Sequence, residues 1–207
     1  MGEEQERLSS LAKSWGVPLP APTADALLAF GRLLLDWNRR INLTGAKSLA
    51  DLIGEHFADS FAVAAQLSGM KTVIDVGSGG GLPAIPAALL APDSSFVLLE
   101  PIHKKAAFLR TAAREAGLSA RLTVLGERLA DGLGAAPGAP FDLAVSRATF
   151  QPAEWLERAV PLVRPGGKVL ALTSSAPVEV PAGLRLAESV PYGVSARRWL
   201  LVLIRST

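Results

Sequence analysis

The chain has 207 residues, 49% of them apolar and 19% charged, which excludes a disordered polymer and suits one globular domain or one with an extension. Its formal net charge of +2 is a mild basic bias that permits an anionic partner without demanding one. It has no cysteine, so disulfides, Cys-ligated zinc and a thiolate nucleophile are excluded, and no apolar run reaches the ~18 residues of a membrane span.

The start, Met1-Gly2-Glu3-Glu4-Gln5-Glu6-Arg7, is acidic and polar. It has neither the basic start nor the apolar stretch of a secretory signal, so a cytoplasmic protein is expected. Residues 5–15 read as a short helix ending near Gly16, and residues 17–22 are Pro-rich and extended. Thr23 is expected to cap the next helix, in which Leu27, Leu28, Phe30, Leu34 and Trp37 recur at helical spacing. Ser48 is expected to cap another, and a further helix is predicted over 55–67. Residues 1–69 thus read as all-helical.

After Gly69 the period changes. Short β-branched runs are predicted as strands over 72–76, 96–100, 122–125, 141–145 and 168–172. Helical patterns over 82–90, 103–116 and 152–163 separate them, which predicts a parallel sheet with helices on both faces. Residues 184–190 and 198–204 are two more strands with a short turn and no helix between them, and so an antiparallel hairpin. The fold class expected is α/β: a Rossmann-like class I methyltransferase with a mainly parallel seven-stranded sheet, a C-terminal antiparallel hairpin and an N-terminal helical extension. A dehydrogenase would keep alternating. The expected division is residues 1–69, the helical extension on the substrate side, and residues 70–207, the binding domain for S-adenosylmethionine (SAM).

The strongest local signal is Asp75-Val76-Gly77-Ser78-Gly79-Gly80-Gly81-Leu82-Pro83, where a strand ends in glycines and a helix begins. Backbone without Cβ atoms lets a ligand lie against the loop, and a helix N-terminus favours polar or anionic groups. Glycines at 77, 79 and 81 give G-x-G-x-G. The dinucleotide fingerprint would need Gly at 82, where Leu82 stands. Asp75 suits a cationic amino group or a held water. Glu100 ends the second strand about 20 residues on, where an acid takes both ribose hydroxyls. The candidate cofactor residues here are Asp75, Gly77, Ser78, Gly79, Gly81, Leu82 and Glu100. Ser146-Arg147-Ala148 ends the fourth strand at the ligand crevice, where Arg147 suits a ligand carboxylate or a phosphate, or is a plain surface arginine. His56 and Asp59, read alone, are better explained as structural groups, a core histidine and a local cap or pair. Two isolated histidines and scattered carboxylates make no metal constellation.

The run Asp36-Trp37-Asn38-Arg39-Arg40-Ile41-Asn42-Leu43-Thr44, then His56 with Asp59-Ser60, the glycine loop, Lys104-Lys105-Ala106-Ala107-Phe108-Leu109 and Ser146-Arg147-Ala148 keep their order and spacing. Together they resemble the bacterial 16S rRNA guanine-N7 methyltransferases, also called glucose-inhibited division protein B. The resemblance implies methyl transfer from SAM to a guanine N7 in the decoding-region loop of 16S rRNA, free or in the small ribosomal subunit. A monomer is expected, with no metal and no membrane partner. Gly77 and Leu82 would line the methionine and ribose side of SAM, the adenine would lie against Leu129 and Ala130, and Arg147 matches a ligand-site arginine. Asn42, His56, Asp59, Arg147, Phe150, Arg197 and Arg198 are the expected substrate residues, with Phe150 or Trp37 as a flat surface for an unstacked base.

Two positions depart from the family pattern. Thr173 stands where a lysine is usual and Trp199 where a histidine is usual. Both remove positive charge from the side RNA phosphates would approach, and Arg39, Arg40, Arg197 and Arg198 partly compensate. Guanine N7 carries an in-plane lone pair and loses no proton on attack, so no catalytic side chain is assigned; the need is alignment. The alternatives are a methyltransferase of a small molecule or protein, and a non-catalytic SAM- or RNA-binding module.

Overall fold

The computed structural model describes residues 2–129, 139–174, 178–193 and 197–207. Helix α1 (Glu3–Trp15) ends at Gly16, and α2 (Ala21–Asn38) follows. The second helix is capped by Pro20 and not by Thr23, which lies inside its first turn. Pro22 explains the earlier start: its fixed φ suits the first turn, and the N–H it lacks would have had no partner there. Ser48 does cap α3 (Leu49–Asp51), its hydroxyl accepting from the Asp51 N–H at 3.1 Å. A π-helical turn (Leu52–Phe57) leads into α4 (Ala58–Ala64), so of the helix expected over 55–67 the first three residues are π-helical and the α-helix stops at Ala64. Phe57 and Phe61 are fully buried there, each worth roughly 1.5–3 kcal/mol of transfer free energy.

Then come β1 (Thr72–Val76), α5 (Ala84–Leu90), β2 (Ser95–Leu99), α6 (His103–Glu115), β3 (Leu122–Leu125), β4 (Phe141–Arg147), α7 (Pro152–Ala159), β5 (Val163–Thr173), β6 (Leu184–Tyr192) and β7 (Arg198–Arg205). The seventh helix stops at Ala159 and tightens into a 3₁₀ turn, Val160–Leu162, instead of running to residue 163. Pro161 has no N–H to continue the α pattern. The sheet order is β3-β2-β1-β4-β5-β7-β6. Strands β1 to β5 pair in parallel, while β7 runs antiparallel between β5 and β6.

Side chains alternate across the sheet. Val73, Leu98, Leu143 and Leu170 join one buried cluster with the apolar faces of α2, α4, α5 and α6. Ile74, Val76, Ala144 and Val169 join the other, with Trp155 and Leu156 of α7. The Trp155 indole N–H donates to the Leu170 carbonyl at 2.8 Å, satisfying the polar atom that its burial would otherwise strand. The carboxyl ends of β1, β2, β4 and β5 therefore share one rim. Among the described residues, no helix is long and apolar enough to cross a membrane.

Candidate active site

The glycine loop is held by its neighbours before any ligand is considered. The N–H groups of Gly77 and Ser78 both donate to the Leu99 carbonyl, at 2.9 and 3.0 Å, and Gly81 N–H donates to Ser78 at 2.7 Å. The buried Ser78 hydroxyl donates back to the Asp75 carbonyl at 3.1 Å. Glu100, the residue after β2, is 3% exposed and closes the loop, accepting the Gly79 N–H at 2.8 Å and the Ile102 N–H at 2.8 Å, one on each oxygen. Its first task is thus to shape the loop.

The glycines divide by what lies above them. At Gly77 a Cβ would sit 2.1 Å from the Thr149 hydroxyl; at Gly80, 2.9 Å from the Leu43 carbonyl; at Gly81, 2.6 Å from Ile85 Cδ1. The protein itself fills those places. At Gly79, with φ +55, a Cβ would meet only the Gly77 carbonyl, at 3.9 Å, so this is the glycine that opens onto free space. Leu82 is buried in the core and offers a ligand its backbone alone. Leu129 is half-buried against the α7-side cluster, and Ala130 lies outside the described residues.

Asp75 is buried beside this loop, and its Oδ2 is the one buried side-chain nitrogen or oxygen without a hydrogen-bond partner among the described residues. Burial pushes its carboxyl up to about 7, against the opposing pull of Ser78 and Arg147. A buried carboxylate with an idle oxygen next to an open glycine fits a ligand that brings a cation, as the amino group and sulfonium of SAM do.

Beyond Gly77, the end of β4 wraps the end of β1. Ser146 donates to the Val76 carbonyl at 2.7 Å, and the Thr149 hydroxyl reaches the same carbonyl at 3.3 Å. Between them Arg147 is turned onto the N-terminal helices. Its Nη1 donates to Asp59 Oδ2 at 3.1 Å and to His56 Nδ1 at 2.8 Å. An arginine only donates, so Nδ1 must accept and the proton sits on Nε2, which donates to Thr44 Oγ1 at 3.1 Å. His56 is therefore neutral, and burial first, then Arg147, holds its pKa below the ordinary value.

Asp59 is 3% exposed. Its other oxygen accepts Arg198 Nη1 at 2.9 Å and the Tyr192 hydroxyl at 2.8 Å. Arg198 also donates to the Glu55 carbonyl, inside the π-helical turn. Asp59, Arg147, Phe150, Thr173, Tyr192 and Arg198 line a cleft of about 280 Å³ at the rim.

The structure thus brings His56, Asp59, Arg147 and Arg198 into one network, with Phe150 at the same cleft. Asn42 is exposed and has no side-chain hydrogen bond among the described residues, and Arg197 is exposed. The Phe150 ring stacks on Trp155 at 6.1 Å and carries the Arg158 guanidinium 5.2 Å from its centroid. Trp37 packs on Phe108, with ring centroids 5.5 Å apart, and belongs to the core side. Thr173 and Trp199, the two departures, are cross-strand partners in the β5–β7 register.

Sequence reasoning quoted Asn38, Thr44 and Ser146 within the motif runs without giving them a role, and missed Thr149 and Tyr192. Asn38 knots the turn after α2, its carboxamide accepting from the N–H groups of Leu43 and Thr44, at 2.8 and 3.0 Å, and donating to the Thr44 carbonyl at 2.9 Å. An Asn at a helix end before a turn is a readable signal for that. Nothing local marks Tyr192. Among the described residues, no group of His, Asp and Glu is placed to hold a metal ion.

A family model described as rRNA small subunit methyltransferase G, GidB, matches residues 23–182. A ribosomal RNA small subunit methyltransferase G from Aromatoleum aromaticum is 40% identical over 202 residues, covering 92% of this chain and 94% of that protein. One from Alkalilimnicola ehrlichii is 40% identical over 194 residues, covering 90% and 86%. Among solved structures, cofactor-bound Rv0187 from MTB superposes with a TM-score of 0.61 at 21% identity over 100% of both chains. The mitomycin 7-O-methyltransferase MmcR superposes with a TM-score of 0.58 at 17% identity, covering 86% of this chain and 60% of that one. At those identities the solved structures speak for the fold alone; the sequence matches carry the rest, and the chain belongs to the GidB family of SAM-dependent methyltransferases.

Proposed function

We propose that this protein transfers the methyl group of SAM to N7 of a guanine in the decoding-region loop of 16S rRNA. The observation that carries the reading is a rim cleft with no free general base among the described residues, in a chain whose relatives are named as methyltransferases of small-subunit ribosomal RNA. SAM supplies an electrophilic methyl carbon on a sulfonium. The protein's part is to bind and align. Asp75 faces the cationic end of the cofactor, the open edge of Gly79 admits it, and Glu100 keeps the loop in shape with lone pairs left for the ribose hydroxyls. Arg147 stands between the glycine loop and the cleft, and Phe150, stacked on Trp155, gives a flat flank for the base. Guanine N7 releases no proton, so the engagement of both His56 ring nitrogens leaves nothing missing. The cleft is below the ~300–1,000 Å³ of sites for drug-sized ligands and suits one unstacked base.

In this reading residues 1–69 form the substrate-side extension and residues 70–207 the cofactor-binding part of a cytoplasmic monomer. Arg39, Arg40, Lys47 and Arg197 are exposed and free of ion pairs among the described residues, and serve as the phosphate contacts. Methyl transfer from labelled SAM to 16S rRNA and small subunits from cells lacking the modification tests the proposal. The labelled RNA should cleave at a single guanine after borohydride and aniline, because N7 methylation fixes a positive charge on the base. Labelled RNA that resists cleavage moves the reaction to another atom. Bound SAM with no label in RNA favours the second reading, a small-molecule or protein acceptor. One observation supports that second reading: Arg198, expected to meet phosphates, already has its charge paired with Asp59.

A further inference from the structure

We infer that Tyr192 is a positioning residue: through Asp59 it fixes the Arg147 guanidinium against His56, and so sets which donors Arg147 presents to the methyl-transfer site. This rests on the reading of Arg147 as a ligand residue given above.

A carboxylate is planar, so holding one oxygen sets the direction of the other. Asp59 Oδ1 is held twice, by the Tyr192 hydroxyl at 2.8 Å and by Arg198 at 2.9 Å. Oδ2 is thereby aimed at Arg147 Nη1, 3.1 Å away. That nitrogen has two hydrogens, and the second goes to His56 Nδ1 at 2.8 Å. Of the five guanidinium N–H donors two are consumed, and these are the hydrogen bonds of Arg147 among the described residues. The remaining three, on Nη2 and Nε, are left for whatever enters the cleft that Arg147 lines.

Tyr192 is itself held. It is 8% exposed, ends β6, and meets the Trp15 ring of α1 edge-on at 5.6 Å and 70°. The line of control therefore runs from α1 through the hairpin to Asp59 and Arg147. Burial and the Asp59 carboxylate both push the Tyr192 phenol up from its ordinary value, as a hydroxyl that donates permanently requires.

The test uses Tyr192→Phe in the full chain, which keeps the ring on Trp15 and removes only the hydroxyl. We expect kcat/KM for RNA methylation to fall roughly ten- to hundredfold, the scale of one hydrogen bond to a charged group. In an Arg147→Ala background the same change should add less than about twofold, because the group being positioned is gone. A second readout is independent of activity. The chain has two histidines, so the ring ¹⁵N spectrum resolves His56, which should show the Nε2–H tautomer in the wild type and a mixture in Tyr192→Phe. Equal activity losses in both backgrounds, or an unchanged His56 spectrum, overturn the inference. If the wild type methylates no RNA, the proposed substrate fails while the His56 spectrum still decides this point. Should Tyr192→Phe not fold, ultraviolet titration of the wild type decides instead, since this is the only tyrosine. A phenol that ionises near its ordinary pH of about 10 overturns the inference.

Discussion

The glycine loop and the Asp59 network meet at Arg147 but recognise by different means. In residues 77–81 the surface is backbone, drawn from five consecutive positions and closed by Glu100, just after the adjacent strand. In the network it is side chain, drawn from the turn after α2, the π-helical turn, α4, the end of β4 and both strands of the hairpin. A backbone surface tolerates most side chains but almost no added Cβ. A side-chain network tolerates backbone shifts poorly, because each donor has a single acceptor. The open loop suits a cofactor of fixed shape, and the network suits a substrate that must be held at one angle.

The largest expected effect lies at Asp75, where the two regions touch electrostatically. Its carboxyl titrates near 7 in the folded protein against an ordinary value of 3.8. A raised folded value means that the folded chain holds the proton longer. This group's contribution is thus fully present below about pH 4, is lost as pH rises towards 7, and is level above that. The full swing is on the order of 4 kcal/mol. Asp75→Asn should remove it, making the unliganded variant more stable than the wild type at pH 8 and nearly equal at pH 4, by chemical denaturation. A cationic ligand favours the ionised carboxylate, so SAM should bind the wild type more tightly from pH 6 to pH 8, with proton release seen by calorimetry in two buffers. A flat pH profile for SAM affinity would break the link between Asp75 and the loop.

The next effect belongs to the network. Asp59→Ala leaves Arg147, Arg198 and Tyr192 without their shared acceptor. The two guanidinium groups are 23% and 33% exposed, so the cost is discounted from that of a fully buried pair to roughly 2–3 kcal/mol. Denaturation should show that loss together with a loss of RNA methylation, while SAM affinity changes less. A SAM affinity that collapses with the network would mean that the two regions are one unit.

The glycines sharpen the same contrast within the loop. Gly77→Ala forces a Cβ onto Thr149 at 2.1 Å and should destabilise the apo protein by about 2 kcal/mol. Gly79→Ala meets nothing nearer than 3.9 Å, so its apo cost is the left-handed strain of ~1 kcal/mol alone. Calorimetry should nonetheless find SAM binding weakened most at Gly79, the position that faces free space. The reverse ranking would assign the open space to something other than the cofactor.

How much was legible follows from the same difference. The loop, the alternating strands and the terminal hairpin were readable because each is a pattern of neighbours in sequence, with period 2, period 3.6 and glycine punctuation. The helix start misplaced at Thr23 and the helix end misplaced past Pro161 are proline effects of one turn. The network was readable only in part. His56, Asp59 and Arg147 could be named from the resemblance, but their mutual bonds could not. Tyr192 lies 133 residues from Asp59, and no local signal distinguishes it from a packing tyrosine. The π-helical turn at 52–57, which contains His56, ends just before Asp59 and accepts Arg198, has no sequence signature of its own.

The smallest expected effect is at Ala148, the joint between the regions. It is the only non-glycine residue with positive φ among the described residues, at 55°, immediately after Arg147. A left-handed Ala costs ~1–2 kcal/mol through its Cβ, and the residue is exposed, so no buried contact repays that strain. Ala148→Gly removes the clash but adds freedom to the unfolded chain, which takes back ~0.5–1 kcal/mol. The net expectation is a gain of about 0.5 kcal/mol in denaturation. Function should move the other way: with glycine the turn samples more conformations, Arg147 is aimed less narrowly, and kcat should drop severalfold while SAM affinity holds. Ala148→Val, β-branched at the same φ, should cost stability instead. If Ala148→Gly lowered stability by more than about 1 kcal/mol, the methyl group would have to make a contact that its exposure denies, and the strain at this joint would have another cause.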